Sequence, residues 1–161
     1  MSLATLQALP AIVRVNLGLL ALAIVALTLV LWPHWSHNPD LSHGYFMPLL
    51  FLLMLHEART RGTPRYLPSR DWTGALLMAA LAAALVCLGA AGLYATAVSC
   101  SHALVAFALT VAGVLALGAG WLVLAGDSVR VLPLNWNALV ALGLWLLCAP
   151  IPPGTYSRLT L

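Results

Sequence analysis

An all-α bundle of membrane-spanning helices is the fold class that the sequence predicts, and three observations predict it. The 161 residues are 63% hydrophobic and only 7% charged, with a mean hydropathy of +1.00. Soluble domains devote about 25% of their residues to Asp, Glu, Lys and Arg, so this chain cannot coat a water-exposed globule. No charged residue occurs from Trp72 to Gly126. That run far exceeds the roughly 20 residues of one crossing and must fold back on itself. The seven basic residues are all arginine, and Arg59, Arg61, Arg65 and Arg70 share one linker, as in the basic loops that stay on the cytoplasmic side.

The first span is expected over Val15–Trp32, closed by Pro33. Arg14 before an apolar stretch also suits a signal peptide. The stretch is longer than a usual h-region and no A-x-A site follows, so the segment reads as an uncleaved anchor. The second span, Gly44–His56, is short. It crosses with local thinning of the bilayer, or it begins below the surface in a protein-lined cavity. Its polar end holds Asp40 and Ser42, which are expected to cap the helix, while Pro48 sits in the first turn, where its missing N–H costs little.

The uncharged run divides at Tyr94–His102, where Thr96, Ser99, Ser101 and His102 concentrate. A third span is expected near Gly74–Leu93 and a fourth near Ala103–Ala125. Ala79/Ala83, Ala80/Ala84 and Ala112/Ala116/Gly120 repeat small residues every fourth position, which lets the two helices approach closely. A fifth span is expected over Val131–Ala149, ended by Pro150, Pro152 and Pro153. Pro133, Asn135 and Asn137 crowd its start. Trp32, Trp35, Tyr45, Trp72 and Tyr94 fall near expected interfaces, whereas Trp121, Trp136 and Trp145 fit an aromatic belt less well. The whole chain, 1–161, reads as a single helical transmembrane domain.

With the N-terminus inside, Arg14, Arg59, Arg61, Arg65, Arg70 and Arg130 fall on the cytoplasmic side and only Arg158 falls outside. The arginines are not interleaved with aromatics in a basic patch, which argues against nucleic acid as a partner. The partner this composition demands is the lipid bilayer. Cys87, Cys100 and Cys148 form no CxxC pair and imply no disulfide framework.

Three segments converge on the opposite, outer face: Pro33–Gly44, Tyr94–His102 and Pro150–Leu161. They hold His34, His37, Asp40, His43, Cys100, His102, Tyr156 and Arg158. Ionisable groups at the rim of a lipid-embedded bundle are functional candidates. The spacing of His34, His37 and His43 matches no standard metal-ligand set, and nothing calls for a cofactor. Cys100 with His102 or His43 as base and Arg158 at an oxyanion would be a nucleophilic site. However, residues two apart point in different directions on a helix or strand. The remaining reading is a face that positions a substrate.

Asp40-Leu41-Ser42-His43-Gly44-Tyr45-Phe46-Met47-Pro48, followed by an apolar run and basic residues, resembles the "(Y/L)SHG(F/Y)-x-x-P" stretch of the exosortase/archaeosortase family. Ala149-Pro150-Ile151-Pro152-Pro153-Gly154-Thr155-Tyr156-Ser157-Arg158-Leu159-Thr160-Leu161 is similar to the family's "PLP-x-x-x-Y-x-x-L-(T/S)" segment. Gly126-Asp127-Ser128-Val129-Arg130 is similar to its usual cytoplasmic turn. The resemblance implies a multi-pass enzyme of the bacterial cytoplasmic membrane. Such an enzyme recognises a C-terminal sorting tail, made of a PEP-like motif, a transmembrane helix and a basic end. It cleaves the tail and transfers the protein through an acyl-enzyme on cysteine. The family's cysteine stands in an "ACSG" context that this chain lacks, since Val98-Ser99-Cys100-Ser101 is a poor echo in the wrong order. The resemblance therefore implies an N-terminal part, inactive alone, whose catalytic Cys, Arg and His lie downstream of Leu161. Asp40, Ser42, His43, Gly44, Pro150, Pro152, Tyr156 and Arg158 are the residues expected at or beside the substrate.

A rival from another class is a small non-enzymatic membrane protein, either a transporter or an assembly partner. A transporter needs a polar path near the midplane, and Thr110 is the main polar residue at that depth in spans three and four.

Overall fold

Hydrogen-bond economy in lipid leaves a chain of this composition few options, because every backbone polar group must be satisfied internally. The computed structural model describes residues 9–68 and 71–150. Helix α1 spans Ala11–His37, and a 3₁₀ helix over Pro39–Phe46 leads into α2, Met47–Thr60. Helix α3 spans Asp71–Ala97, α4 Ala103–Leu124, and α5 Trp136–Leu147. No strand forms among the described residues, apart from a lone parallel bridge between Leu67 and Gly126. The fold is an all-α bundle.

Helices α1, α3 and α4 are long and apolar enough to cross a membrane. At about 1.5 Å per residue they measure roughly 40, 40 and 33 Å, against a hydrocarbon core of about 30 Å. The protein is thus a membrane protein. The 3₁₀ segment and α2, laid end to end, reach roughly 37 Å, because a 3₁₀ helix rises about 2.0 Å per residue.

Several expected boundaries are corrected. Helix α1 does not close at Pro33 but continues to His37. Proline lacks the N–H that would bond the Leu29 carbonyl four residues back, yet the helix carries on through it for one more turn, where polar side chains gather on the Pro33 carbonyl. Ser36 Oγ donates to Pro33 O at 2.9 Å, and His37 Nδ1 lies 2.7 Å from the same oxygen. Asp40 and Ser42 do not cap α2. Helix α2 begins at Met47 with no side-chain cap, with Pro48 in its first turn as expected. The cap belongs to Asn38, whose Oδ1 accepts from Asp40 N at 3.1 Å and opens the 3₁₀ helix. Asn followed by Pro is the residue order of an N-cap and N1.

The fifth span is shorter than Val131–Ala149. Residues 131–135 are not helical, because their backbone is committed elsewhere. Leu134 N donates to Arg65 O at 2.8 Å, and Val131 N to Leu124 O at 3.0 Å. Helix α5 starts only where Asn135 caps it, with Oδ1 accepting from Ala138 N at 3.1 Å.

Helix α4 is the centre of the bundle, packing against α3, α1 and α5, while α2 packs against α5. The close α3–α4 pairing matches the small-residue pattern, with Ala84 and Ala91 buried on α3. The glycines of α4 serve a different neighbour. A Cβ at Gly113 would lie 2.5 Å from Leu27 Cδ2, and one at Gly120 would lie 2.6 Å from Leu20 Cδ2. Two leucines of α1, seven residues apart, therefore seat over two glycines of α4, also seven apart. Asn16 of α1 donates to Gly120 O at 2.9 Å beside them.

Lipid tails are as apolar as leucine, so this association rests on close packing and interhelical hydrogen bonds. The core is aromatic. Phe51 of α2 lies between Trp121 of α4, ring centroids 6.2 Å apart, and Trp145 of α5, at 5.9 Å. Trp121 Nε1 donates to Pro133 O at 3.1 Å. Trp35, expected at an interface, is instead buried at 1% exposure.

The helix ends sort by chemistry. The start of α1, the end of α2, the start of α3, the end of α4 and the start of α5 share one end. Ala58 O accepts from Asn135 Nδ2 at 2.8 Å, and Leu67 N donates to Ala125 O at 2.8 Å. Arg14, Arg59, Arg61, Arg65 and Arg130 all lie at that end. His34, His37, His43 and His102 lie at the other, while His56, near the end of α2, stays at the arginine end.

Candidate functional site

At the histidine end, the 3₁₀ helix folds back on α1 because Gly44 allows it. A Cβ on Gly44 would sit 2.3 Å from Trp35 Nε1, so only glycine lets the indole lie flat against this backbone. Tyr45, next in sequence, closes over the tryptophans. Its ring lies edge-on to Trp32 at 4.9 Å and to Trp35 at 5.9 Å. The buried indole N–H of Trp35 then donates to Cys148 O at 2.9 Å. This contact ties the first helical hairpin to the end of α5.

Beside that clasp lies a cleft of about 380 Å³ lined by His34, Asn38, Asp40, Leu41, His43, Ala103, Leu147 and Pro150. It unites two of the three segments expected on this face, Pro33–Gly44 and the one that opens at Pro150; no residue of Tyr94–His102 lines it, and Ala103 enters from the first turn of α4. His34 is half-buried, Asp40 and His43 are exposed, and Pro150 is buried. Two imidazoles and a carboxylate thus line it together with apolar groups. Such a cleft can hydrogen-bond a polar motif and hold an adjoining apolar segment.

The other predicted residues are placed as follows. Gly44 and Ser42 sit on the same 3₁₀ helix, with Gly44 buried under Trp35 and Ser42 exposed outside the cleft lining. Pro152, Tyr156 and Arg158 lie outside the described residues. His37 is turned to its own Pro33 carbonyl. His102 is the N-cap of α4, its Nδ1 accepting from Leu104 N at 3.2 Å, and its ring lies tilted against Tyr94 with centroids 6.0 Å apart. It faces no cysteine, and Cys100 is exposed on the α3–α4 turn.

Cys148 is buried beside the cleft as a free thiol, with its carbonyl engaged by Trp35. Among the described residues no three His, Cys, Asp or Glu side chains converge on a common point for a metal. Thr110 is fully buried, and its hydroxyl donates back to Ala106 O at 2.7 Å within its own helix.

Sequence reasoning missed Trp35, Asn38, Ala103 and Leu147 as parts of this site. Only Asn38 carried a signal, the Asn-Pro order. No family model, curated protein or solved structure matches the chain.

Proposed function

We propose that this chain is the substrate-lodging membrane portion of an exosortase-like cysteine transpeptidase. The observation that supports this reading most is the convergence of its two motif stretches. Leu41 and His43 of the first stretch and Pro150 of the second line one cleft, and Trp35 links the two stretches through Cys148. In this reading the cleft holds the polar motif of a C-terminal sorting tail, with His34 and His43 as hydrogen-bonding partners. The tail's own transmembrane helix lies in the lipid beside α5. The N-terminus and the arginine end face the cytoplasm of a bacterial inner membrane, and the cleft faces outward. Cleavage belongs to a cysteine outside this chain, and no step is assigned to Cys100 or Cys148.

The transporter alternative gains nothing from Thr110, whose hydroxyl is spent on its own helix. The assembly-partner alternative is distinguished by experiment. A photo-crosslinking residue at Leu41, in the full chain reconstituted in nanodiscs, should capture a peptide carrying a PEP-like motif followed by an apolar helix. A peptide with the motif scrambled should not be captured. Equal capture of both overturns the reading. In a full-length relative, the matched changes His43→Ala and Arg158→Ala should abolish tail processing.

A further inference from the structure

The arginine end holds a cavity larger than the histidine-end cleft, and the function proposed above does not use it. This cleft of about 810 Å³ lies between the loop Arg61–Leu67 and the first turn of α5. Arg61 and Arg65 line it, and no acidic residue does. Arg61 shares its charge with Glu57 at 3.4 Å, while Arg65 makes no ion pair among the described residues. The α5 N-terminus adds backbone donors. Asn135 takes the Ala138 N–H with its side chain and the Leu139 N–H with its carbonyl. The N–H groups of Trp136 and Asn137 are left with no acceptor among the described residues, as helix geometry requires of a first turn.

The third feature is apolar. Trp136 is 78% exposed on the rim, and the exposed Leu139 and Val140 continue from it along α5. Such a surface suits lipid and not water, and an exposed tryptophan at a helix end is an interfacial anchor. Two guanidinium groups, two unpaired amide donors and an adjoining greasy helix face match a phosphate joined to acyl chains.

We propose that this cleft binds the phosphate headgroup of an anionic phospholipid, with Arg61 and Arg65 on the phosphate and the acyl chains along Leu139 of α5. The site does not depend on which leaflet it faces, nor on any enzymatic role for the chain.

The full chain, reconstituted in nanodiscs of phosphatidylcholine, tests this through Trp136. The signal from this residue is the fluorescence difference between the wild type and Trp136→Phe. At equal mole fraction, brominated phosphatidylglycerol should quench it with an apparent association about fivefold to tenfold above that of brominated phosphatidylcholine. That range follows from two arginines near the surface, one of them shared with Glu57. Arg61→Gln with Arg65→Gln should erase the preference, while the matched double Lys variant should keep most of it. Circular dichroism of both double variants reports whether the bundle is intact. Equal quenching by the two lipids, or a preference that survives in a folded double Gln variant, overturns the proposal. Millimolar inorganic phosphate should leave the preference intact, because it brings no acyl chain. Displacement at that concentration overturns the lipid assignment in favour of a free phosphate.

Discussion

Trp35 Nε1 donates a hydrogen bond to the carbonyl of Cys148 at 2.9 Å, across 113 residues of chain and with both groups buried. Trp35→Phe keeps most of the ring but orphans that carbonyl, an expected cost of about 1–3 kcal/mol. Trp35→Ala should cost more, about 3–5 kcal/mol, because a cavity is added. Thermal unfolding in detergent micelles should rank them in that order. Equal losses would show that the ring matters and the hydrogen bond does not.

Gly44→Ala pushes a methyl to 2.3 Å from the same indole. The ring is clamped between Tyr45 and the bundle, so the 3₁₀ helix must lift. Overpacking of this kind costs about 1–3 kcal/mol. The tail-peptide capture at Leu41 described above should fall with it, since the cleft wall moves. Gly18→Ala, where a Cβ meets nothing within 4 Å, is the control and should be neutral.

Asn135 serves two helices at once, capping α5 and donating to Ala58 O at the end of α2. Asn135→Ala should cost about 2 kcal/mol by loss of the cap and of a buried bond. Asn135→Asp should be nearly as damaging, because a carboxylate still caps but cannot donate to a carbonyl. Gly62→Ala would place its Cβ 2.0 Å from Asn135 Nδ2, so it should destabilise too. In a double-mutant cycle, Gly62→Ala and Asn135→Ala should combine to well below the sum of their separate effects.

The α1–α4 contact gives a size-graded prediction. Gly120→Ala puts a Cβ 2.6 Å from Leu20 Cδ2 and 3.3 Å from Asn16 Oδ1, and the two further methyls of Gly120→Val add bulk to a contact already tight. The valine variant should be the worse by about 1–3 kcal/mol. Leu20→Ala should restore part of that loss, measured by unfolding in the same micelles.

Topology is open to labelling. With Cys100→Ser removing the exposed native thiol, Ser42→Cys and Arg65→Cys should react with an impermeant maleimide from opposite sides of sealed vesicles. Native Cys100 should react from the Ser42 side. Reaction of positions 42 and 65 from one side would undo the span count and the orientation together.

The long helices were legible because charge-free length is a strong signal, and the turn near Ser99–Ser101 marked where α3 gives way to α4. The faces they bury were not. Lipid and protein interior are alike in polarity, so hydropathy carries no record of which side of a transmembrane helix touches protein. Small residues hinted at the α3–α4 contact, yet Gly113 and Gly120 turned out to seat leucines of α1. Trp35 read as an interfacial anchor because its two roles, ring packing and a bond to a distant carbonyl, leave no local trace. The start of α5 was blurred for a related reason. Pro133 and Asn135 were visible as breakers, but the use of Leu134 by Arg65 is a tertiary fact. On the histidine end, clustering of His34, Asp40 and His43 was legible from span alternation alone.

Because α4 is the partner of α1 and α5 that of α2, the earliest helices to leave the ribosome meet their mates last. Until Gly120 has been synthesised, Asn16 has no carbonyl to bond, and until Cys148 has been synthesised neither does Trp35. A nascent chain of two or three helices therefore sits in the bilayer with open polar valences. Its polar pairs close only once α4 and α5 have entered the bilayer beside α1 and α2.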